Sequence, residues 1–325
     1  MSTWHIYKGT GHPHDGIKEL PDPPKWRNFD GKIQQEPKRE TDPELKRRFG
    51  NLSGGQTFIA SDKEIDLVNA ALFLRRALLV TGKPGTGKSS IAYAVAHELK
   101  LGKVLLWPIT SRSVLRDALY QYDAIGRLQA AQLSEDSDIG NFIRLGPLGT
   151  ALLPSSYPRV LLIDEIDKSD IDLPNDLLHV FEEGAFEIPE LKRLSKSQEQ
   201  VSVFPYDSEE RVPITQGKVR CHAFPFIVMT SNAERELPPA FLRRCIRLDI
   251  QEPNEEKLAR IVRVHFGDSE AEAPWNSLIA TFLKRRDQGD LATDQLLNAI
   301  YLTSQDVNLE KRDLLEVILK HLTVR

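Results

Sequence analysis

The sequence predicts an α/β fold: a parallel sheet with helices on both faces, followed by a small all-helical unit. Three observations carry this. Short, nearly continuous apolar runs, such as residues 77–80 and 160–163, alternate with stretches of helical spacing; strands buried on both faces read this way. After Glu252-Pro253 the strand signals stop and only helical spacing continues. Finally, 325 residues exceed the size at which a single core usually stops growing, so two units are expected.

Each element has its own justification. Residues 1–50 hold six prolines and five glycines, about twice the density of the whole chain, yet also Trp4, Tyr7, Trp26 and Phe29. A disordered tail would have few aromatics, so an irregular arm that packs onto the body or a neighbouring subunit is expected. The main α/β unit is placed at 51–252. Within it, residues 63–75 space Ile65, Leu67, Val68, Ala71 and Leu72 as a helix. A strand at 77–80 and a helix at 90–99 follow, then a strand at 103–109, a helix at 117–133 and a loop at 143–147. Residues 160–163 form a strand ending in Asp164-Glu165, and 173–183 a helix. Residues 186–218 mix short extended pieces, with a hairpin turn at Gln216-Gly217. A strand at 226–230 runs into Ser231-Asn232. A short helix at 237–244 has Pro238 and Pro239 in its first turn, and 245–250 is the last strand. Helices at 255–264, 275–284, 294–302 and 309–322 make the C-terminal unit, 253–325.

Composition narrows the class of protein. Hydrophobic content of 40% and charged content of 28% are those of a soluble globular protein. Lys plus Arg number 43 and Asp plus Glu 47, giving 43 − 47 = −4, which offers no general attraction to nucleic acid or an anionic membrane. Cys221 and Cys245 lack metal-ligand spacing, so a reduced, cytoplasmic setting is expected. No apolar run approaches the length of a membrane span, and the polar N-terminus has no signal-peptide core.

The densest chemical signal is Gly82-Lys83-Pro84-Gly85-Thr86-Gly87-Lys88-Ser89. It fits the phosphate-loop pattern of Gly, four residues, Gly-Lys-Ser/Thr, and lies between a strand and a helix, as that motif requires. Its glycines let backbone N–H groups fold around an anion, and the helix beginning at Ser90 adds the partial positive charge of its N-terminus. Lys88 is expected to reach the β- and γ-phosphates and Ser89 to hold Mg²⁺. Gly82, Pro84, Gly85, Thr86, Gly87, Lys88, Ser89 and Ser90 are the candidate nucleotide-binding residues.

Other candidates sit at strand ends. In a parallel sheet, ligands bind at the carboxyl edge. Asp164 can join the Mg²⁺ shell, through water, while Glu165 accepts a proton from the attacking water. Adjacent acids need such divided roles unless a cation separates them. Asn232 could hydrogen-bond the γ-phosphate or position the water; a turn-forming asparagine is the plainer reading. Arg243-Arg244 either caps the carboxyl end of its helix or supplies an arginine finger to the nucleotide of an adjacent subunit. A finger contributes about 10³–10⁵ in turnover.

Taken together, the phosphate loop, Val160-Leu161-Leu162-Ile163-Asp164-Glu165-Ile166-Asp167-Lys168, Thr230-Ser231-Asn232 and Leu237-Pro238-Pro239-Ala240-Phe241-Leu242-Arg243-Arg244 resemble an AAA+ ATPase. Ile143-Arg144-Leu145-Gly146-Pro147-Leu148 and the hairpin-rich stretch before Phe226 resemble the MoxR-like branch, which carries a second-helix insertion and a β-hairpin before sensor 1. The resemblance covers residues 55–252 well, 253–325 loosely, and 1–50 not at all. It implies a P-loop NTPase sheet of order 5-1-4-3-2 and a helical lid. It also implies Asp164 and Glu165 as the Walker B pair, Asn232 as sensor 1, and Arg244 as finger with Arg243 beside it. A ring of six, ATP and Mg²⁺ as ligands, and a chaperone-like action on a protein partner, often one with a von Willebrand factor A domain, are further implied. Inserts at 124–141 and 186–220 would face the pore or partner. One departure stands out: the lid helix starting at Leu291-Ala292-Thr293-Asp294-Gln295 has no arginine, although Lys284, Arg285 and Arg286 lie just upstream.

Two rival functions follow from the same residues. One is a nucleic-acid motor of the GTP-using McrB kind, for which Lys46-Arg47-Arg48 and Lys284-Arg285-Arg286 are the basic stretches; charge runs are more often solvated faces. The other is a nucleotide-gated switch that assembles with a signalling or defence partner and turns over slowly. A small-molecule kinase explains the strand-end acids, finger and lid less well.

Overall fold

The structure, a computed structural model, describes residues 4–36, 42, 60–133, 138–266, 272–286, 291–305 and 314–320. Its centre is a five-stranded parallel sheet. The strands are β1 (Leu78–Thr81), β2 (Val104–Pro108), β5 (Val160–Asp164), β10 (Phe226–Ser231) and β11 (Ile246–Asp249). Their order across the sheet is β11-β1-β10-β5-β2. Counted along the chain, that is fifth, first, fourth, third, second, the order the family resemblance implies.

Alternation along these strands divides the core into two faces. Leu79, Leu105, Leu161, Ile163, Ile227 and Met229 share one apolar cluster with Leu177, Val180 and Phe181 of helix α3 (Leu173–Glu183). Leu78, Val80, Val160, Leu162, Val228 and Leu248 share the other with helices α1 (Asp62–Leu74) and α2 (Ser90–Glu98). Helix α1 begins at a capping box. Ser61 Oγ accepts from Glu64 N, and Glu64 Oε2 accepts from Ser61 N at 2.8 Å, two otherwise orphaned donors satisfied together.

The expected helix at 117–133 is broken in the structure. A short helix (Leu115–Leu119) gives way to β3 (Tyr120–Tyr122), and helix α4 proper resumes only at Ala124–Gln132. Strand β3 pairs antiparallel with β4 (Ile143–Leu145), where a loop was expected. The buried Tyr120, whose hydroxyl donates to Glu190 at 2.8 Å, and a pairing about twenty residues distant outweigh local helical spacing, as tertiary context commonly does. The hairpin-rich segment forms a second sheet, β6 (Ala185–Glu187), β7 (Gln200–Val203), β8 (Val212–Thr215) and β9 (Lys218–Arg220), in the order β6-β9-β8-β7. Its turn falls at Gln216-Gly217, with φ of 53° and 65°, the paired positive values of a type I′ hairpin. The expected helix at 237–244 shrinks to α5 (Pro239–Leu242).

The arm packs onto the body. Asn69 Oδ1 accepts from the backbone of Ile6 and Tyr7, and its Nδ2 donates to Tyr7 O. The buried Glu98 carboxylate accepts from Lys8 N, Gly9 N and Gly11 N at 2.6, 3.1 and 2.9 Å. Phe29 stacks on Phe224 with centroids 5.1 Å apart. Where the arm crosses the second sheet, a Cβ on Gly31 would lie 2.0 Å from Arg220 O, so only glycine fits. Trp26 is the exception to the expected packing and stands in solvent.

Beyond Pro253, helices α6 (Glu255–Phe266), α7 (Glu272–Arg286), α8 (Thr293–Ser304) and α9 (Leu314–Ile318) gather around their own core, including Leu258, Val262, Phe282, Leu296 and Ile300. Gln295 ties the ends of this unit. Its Oε1 accepts from Ala292 N, and its Nε2 donates to Ile318 O and Lys320 O, all at 2.9 Å.

Candidate functional site

The carboxyl edge of the central sheet opens into a cavity of about 500 Å³. Residues 84–90, Asp164, Glu165, Thr230 and Asn232 line one side, and Lys257, Ile261, His265, Thr293, Asp294 and Leu297 line the other. A somewhat larger cavity, about 590 Å³, lies between the arm and the second sheet and contains none of the candidate nucleotide-binding or catalytic residues. The candidate catalytic and nucleotide-binding residues Gly85 to Ser90, Asp164, Glu165 and Asn232 gather at the smaller one.

The phosphate loop leaves β1 and enters α2 with Gly82, Gly85 and Gly87 all at positive φ. Gly85 is the tightest point: at φ 74°, a Cβ there would lie 2.5 Å from Ala292 Cβ. The loop thus touches the segment entering lid helix α8. Lys88 is buried, and its Nζ donates to Gly82 O and Lys83 O at 2.7 and 2.8 Å. Burial pushes its ammonium below the usual lysine range, while Asp167, Asp164 and Glu165 pull the other way. A cation held this way suits a phosphate, which would supply the missing counter-charge. Thr86 Oγ1 donates to Lys83 O at 2.8 Å, bracing the loop.

The hydroxyl of Ser89 does not cap its own helix. It donates to Asp164 Oδ1 at 2.7 Å, which binds the loop to the end of β5. These hard oxygen donors fit Mg²⁺. The register sets Met229 beside Ile163, which brings Thr230 level with Asp164. Thr230 Oγ1 donates to Asp164 Oδ1 at 2.7 Å and accepts from Glu165 N at 2.8 Å. Glu165 occupies the left-handed region, φ 62° and ψ 51°, uncommon for a residue with a side chain and often found at functional sites. Its Oε2 accepts from Lys168 Nζ at 2.8 Å, and Asn232 Nδ2 stands 3.5 Å from its Oε1.

Sequence reasoning missed Asp167. Its carboxylate is 3% exposed. Oδ2 accepts from Asn232 N and Glu234 N, both at 3.0 Å, while Oδ1 has no partner among the described residues. Asp167 thereby fastens the segment after β10 to the end of β5. Thr230, Lys257 and His265 were missed as well. An acid three residues beyond Asp164 was the one available signal for Asp167; the others depend on register and lid placement.

Arg243 and Arg244 lie elsewhere. Arg244 Nε donates to Glu182 Oε1 at 3.0 Å and Nη1 to Ala240 O at 3.1 Å. Arg243 O accepts from Arg76 Nη1 at 3.0 Å. Ala77 O accepts from Ile246 N, so this group occupies the amino edge of the sheet. Strand β1 separates it from the phosphate loop by about 10 Å or more at about 3.3 Å per residue. In the lid, Arg286 Nη1 donates to Pro253 O at 2.9 Å, and helix α8 presents Thr293 and Asp294, not an arginine, to the cavity.

A family model, the AAA domain (dynein-related subfamily), matches residues 77–245, just over half the chain. The chain belongs to this AAA family. This AAA protein is also similar to the RuvB-like helicase 1 proteins of Drosophila melanogaster, at 24% identity, and Aedes aegypti, at 23%. In both cases the match covers 48% of this chain and 39% of the relative, so the chain spans about two fifths of their length. Among solved structures, the FIGL-1 AAA domain in complex with ADP is similar at 18% identity, covering 74% of this chain and 64% of that one, with a TM-score of 0.35. Membership of this family implies nucleotide binding. Among the described residues, no helix is long and apolar enough to cross a membrane.

Proposed function

We propose that this chain is a Mg²⁺-dependent ATPase of the MoxR-like kind that works as a ring, commonly of six, and remodels a protein partner. The observation that carries this reading is the placement of Glu165. It is held at the mouth of the phosphate loop by Thr230 and faces Asn232 at 3.5 Å. Lys88, Ser89 and the loop backbone from Gly82 to Ser90 would bind the phosphates, and Asp164 with Ser89 would hold Mg²⁺. The ion screens phosphate charge when bound. Glu165 takes the proton of the attacking water, and Asn232 orients that water or the γ-phosphate. Arg244, with Arg243 beside it, lies at the far edge of its own sheet and would act on the nucleotide of the next copy; that separation is the support for a ring.

The second-helix insert and the hairpin before β10 support the MoxR-like branch and, with it, a partner carrying a von Willebrand factor A domain. A nucleic-acid motor is the second reading, favoured by the helicase names of the curated relatives. Of the basic runs behind it, Lys46-Arg47-Arg48 falls outside the described residues. Light scattering with Mg²⁺, with and without ATP, tests the first reading on the wild type and on Glu165→Gln. The variant should assemble and stay assembled without turnover. Full activity in Arg244→Ala would overturn the finger assignment. Turnover stimulated by DNA in a salt-dependent way would favour the second reading.

A further inference from the structure

The amino edge of the sheet carries a cluster in which the arm and the candidate finger share one carboxylate. Glu182, near the end of α3, accepts from Arg27 Nη1 on Oε2 and from Arg244 Nε on Oε1, each at 3.0 Å. Arg27 is fixed: it is buried, donates to Arg75 O at 2.6 Å, and lies over the rings of Phe29 and Phe224. Arg244 is free to move, since it is exposed and its other bond is to its own helix. Arg243 is exposed too, and its side chain has no polar partner among the described residues. Immediately before Arg27 stand Lys25 and Trp26, on the same short turn (Lys25–Arg27). Trp26 is 78% exposed, the most exposed large apolar side chain among the described residues.

An indole on an anchored turn beside several arginines has the composition of an interface centre. The charge also has a complement. Lys25, Arg243 and Arg244 are exposed here, while the mouth of the nucleotide cavity carries Asp164, Glu165 and Asp294 against Lys88 and Lys257 and would carry the phosphates. We propose that the Lys25–Arg27 turn belongs to the surface through which one copy of this chain docks on the nucleotide cavity of a second copy. In that contact Trp26 is the apolar anchor, and Glu182 is the carboxylate that Arg27 and Arg244 share. The inference rests on the ring reading above. It gives Arg27 a positioning role: when Arg244 turns toward the neighbour's phosphates, Arg27 stays on Glu182 and no bare carboxylate is left beside the departing arginine.

The test uses the full chain in the Glu165→Gln background with Mg²⁺ and ATP. Trp26→Ala should raise the protein concentration at half-assembly at least tenfold, with affinity of the dilute protein for a fluorescent ATP analogue changed less than twofold. Trp26→Glu should shift assembly further. Trp26→Cys labelled with an environment-sensitive dye should change signal at the same concentration at which the mass rises. An unchanged midpoint in both Trp26→Ala and Trp26→Glu overturns the arm surface and leaves the ring reading intact. A parent protein that never assembles overturns both.

Discussion

Replacing Asp167 by alanine tests whether the segment after β10 is held by that one buried carboxylate. The change removes two charged hydrogen bonds, to Asn232 N and Glu234 N, worth about 1.5–3 kcal/mol each. Against that stands relief from burying a charge whose Oδ1 has no partner among the described residues, a cost of a few kcal/mol. A net loss of about 2–4 kcal/mol is expected in urea denaturation. The effect on turnover should be larger in kind. Asn232 would lose the anchor of its own backbone, and a displaced positioning group lowers kcat by about 10²-fold. Asp167→Asn retains an oxygen that can accept both N–H groups, so most of the stability and turnover should return. ATP hydrolysis at saturating nucleotide, with nucleotide affinity measured alongside, provides the assay. Asp167→Ala with a kcat within about twofold of wild type would refute the reasoning, because the anchor would then be irrelevant to Asn232.

Four other outcomes are expected. Thr230→Val keeps the shape but strips the hydroxyl from Glu165 N and Asp164; kcat should fall by about 10²-fold with Thr230→Ser near wild type, and equal activity in Val and Ser variants would count against the role of the hydroxyl. Gly85→Ala must move Ala292 or leave its φ of 74°, so ATP affinity measured by calorimetry should fall by about tenfold, from strain of about 1–2 kcal/mol. Glu98→Ala leaves Lys8 N, Gly9 N and Gly11 N without their acceptor, and limited proteolysis should then cut the arm early; an arm as resistant as wild type would refute its anchoring there. Burial pushes the thiols of Cys221 and Cys245 from 9.0 up to about 12. Native protein at pH 8 should therefore resist iodoacetamide, and stability should fall as pH climbs from about 9 to about 12, where only the unfolded chain loses those protons; rapid native labelling would contradict the burial.

Much of this site could be read from the sequence because its parts are local. Gly82 through Ser89 bend the backbone by their own residue types, and Asp164, Glu165 and Asn232 follow short apolar runs of the length and pattern of strands buried on both faces. The sheet order rested on family resemblance and agrees. What escaped depends on distant pairing. The helical spacing of 117–133 was real, yet Tyr120–Tyr122 found a partner strand at Ile143–Leu145. Asp167 looked like one more acid after a strand, and only the fold shows its oxygen facing two backbone donors from β10's far end. Glu98, near the end of the helix expected at 90–99, was not singled out, although it is wholly buried beneath the arm.

The strand order also bears on how the chain comes off the ribosome. Strand β1 is hydrogen-bonded on both sides to the latest-made strands, pairing with Val228 through Ser231 and with Ile246 through Asp249. The phosphate loop is thus synthesised some 150 residues before either flanking strand exists to hold it, and the opposite wall of its cavity, Thr293 to Leu297, comes later still. Pairings so distant in sequence form late. A nascent chain released before about residue 250 would carry the whole Gly-Lys-Ser signature and still have no pocket in which to use it.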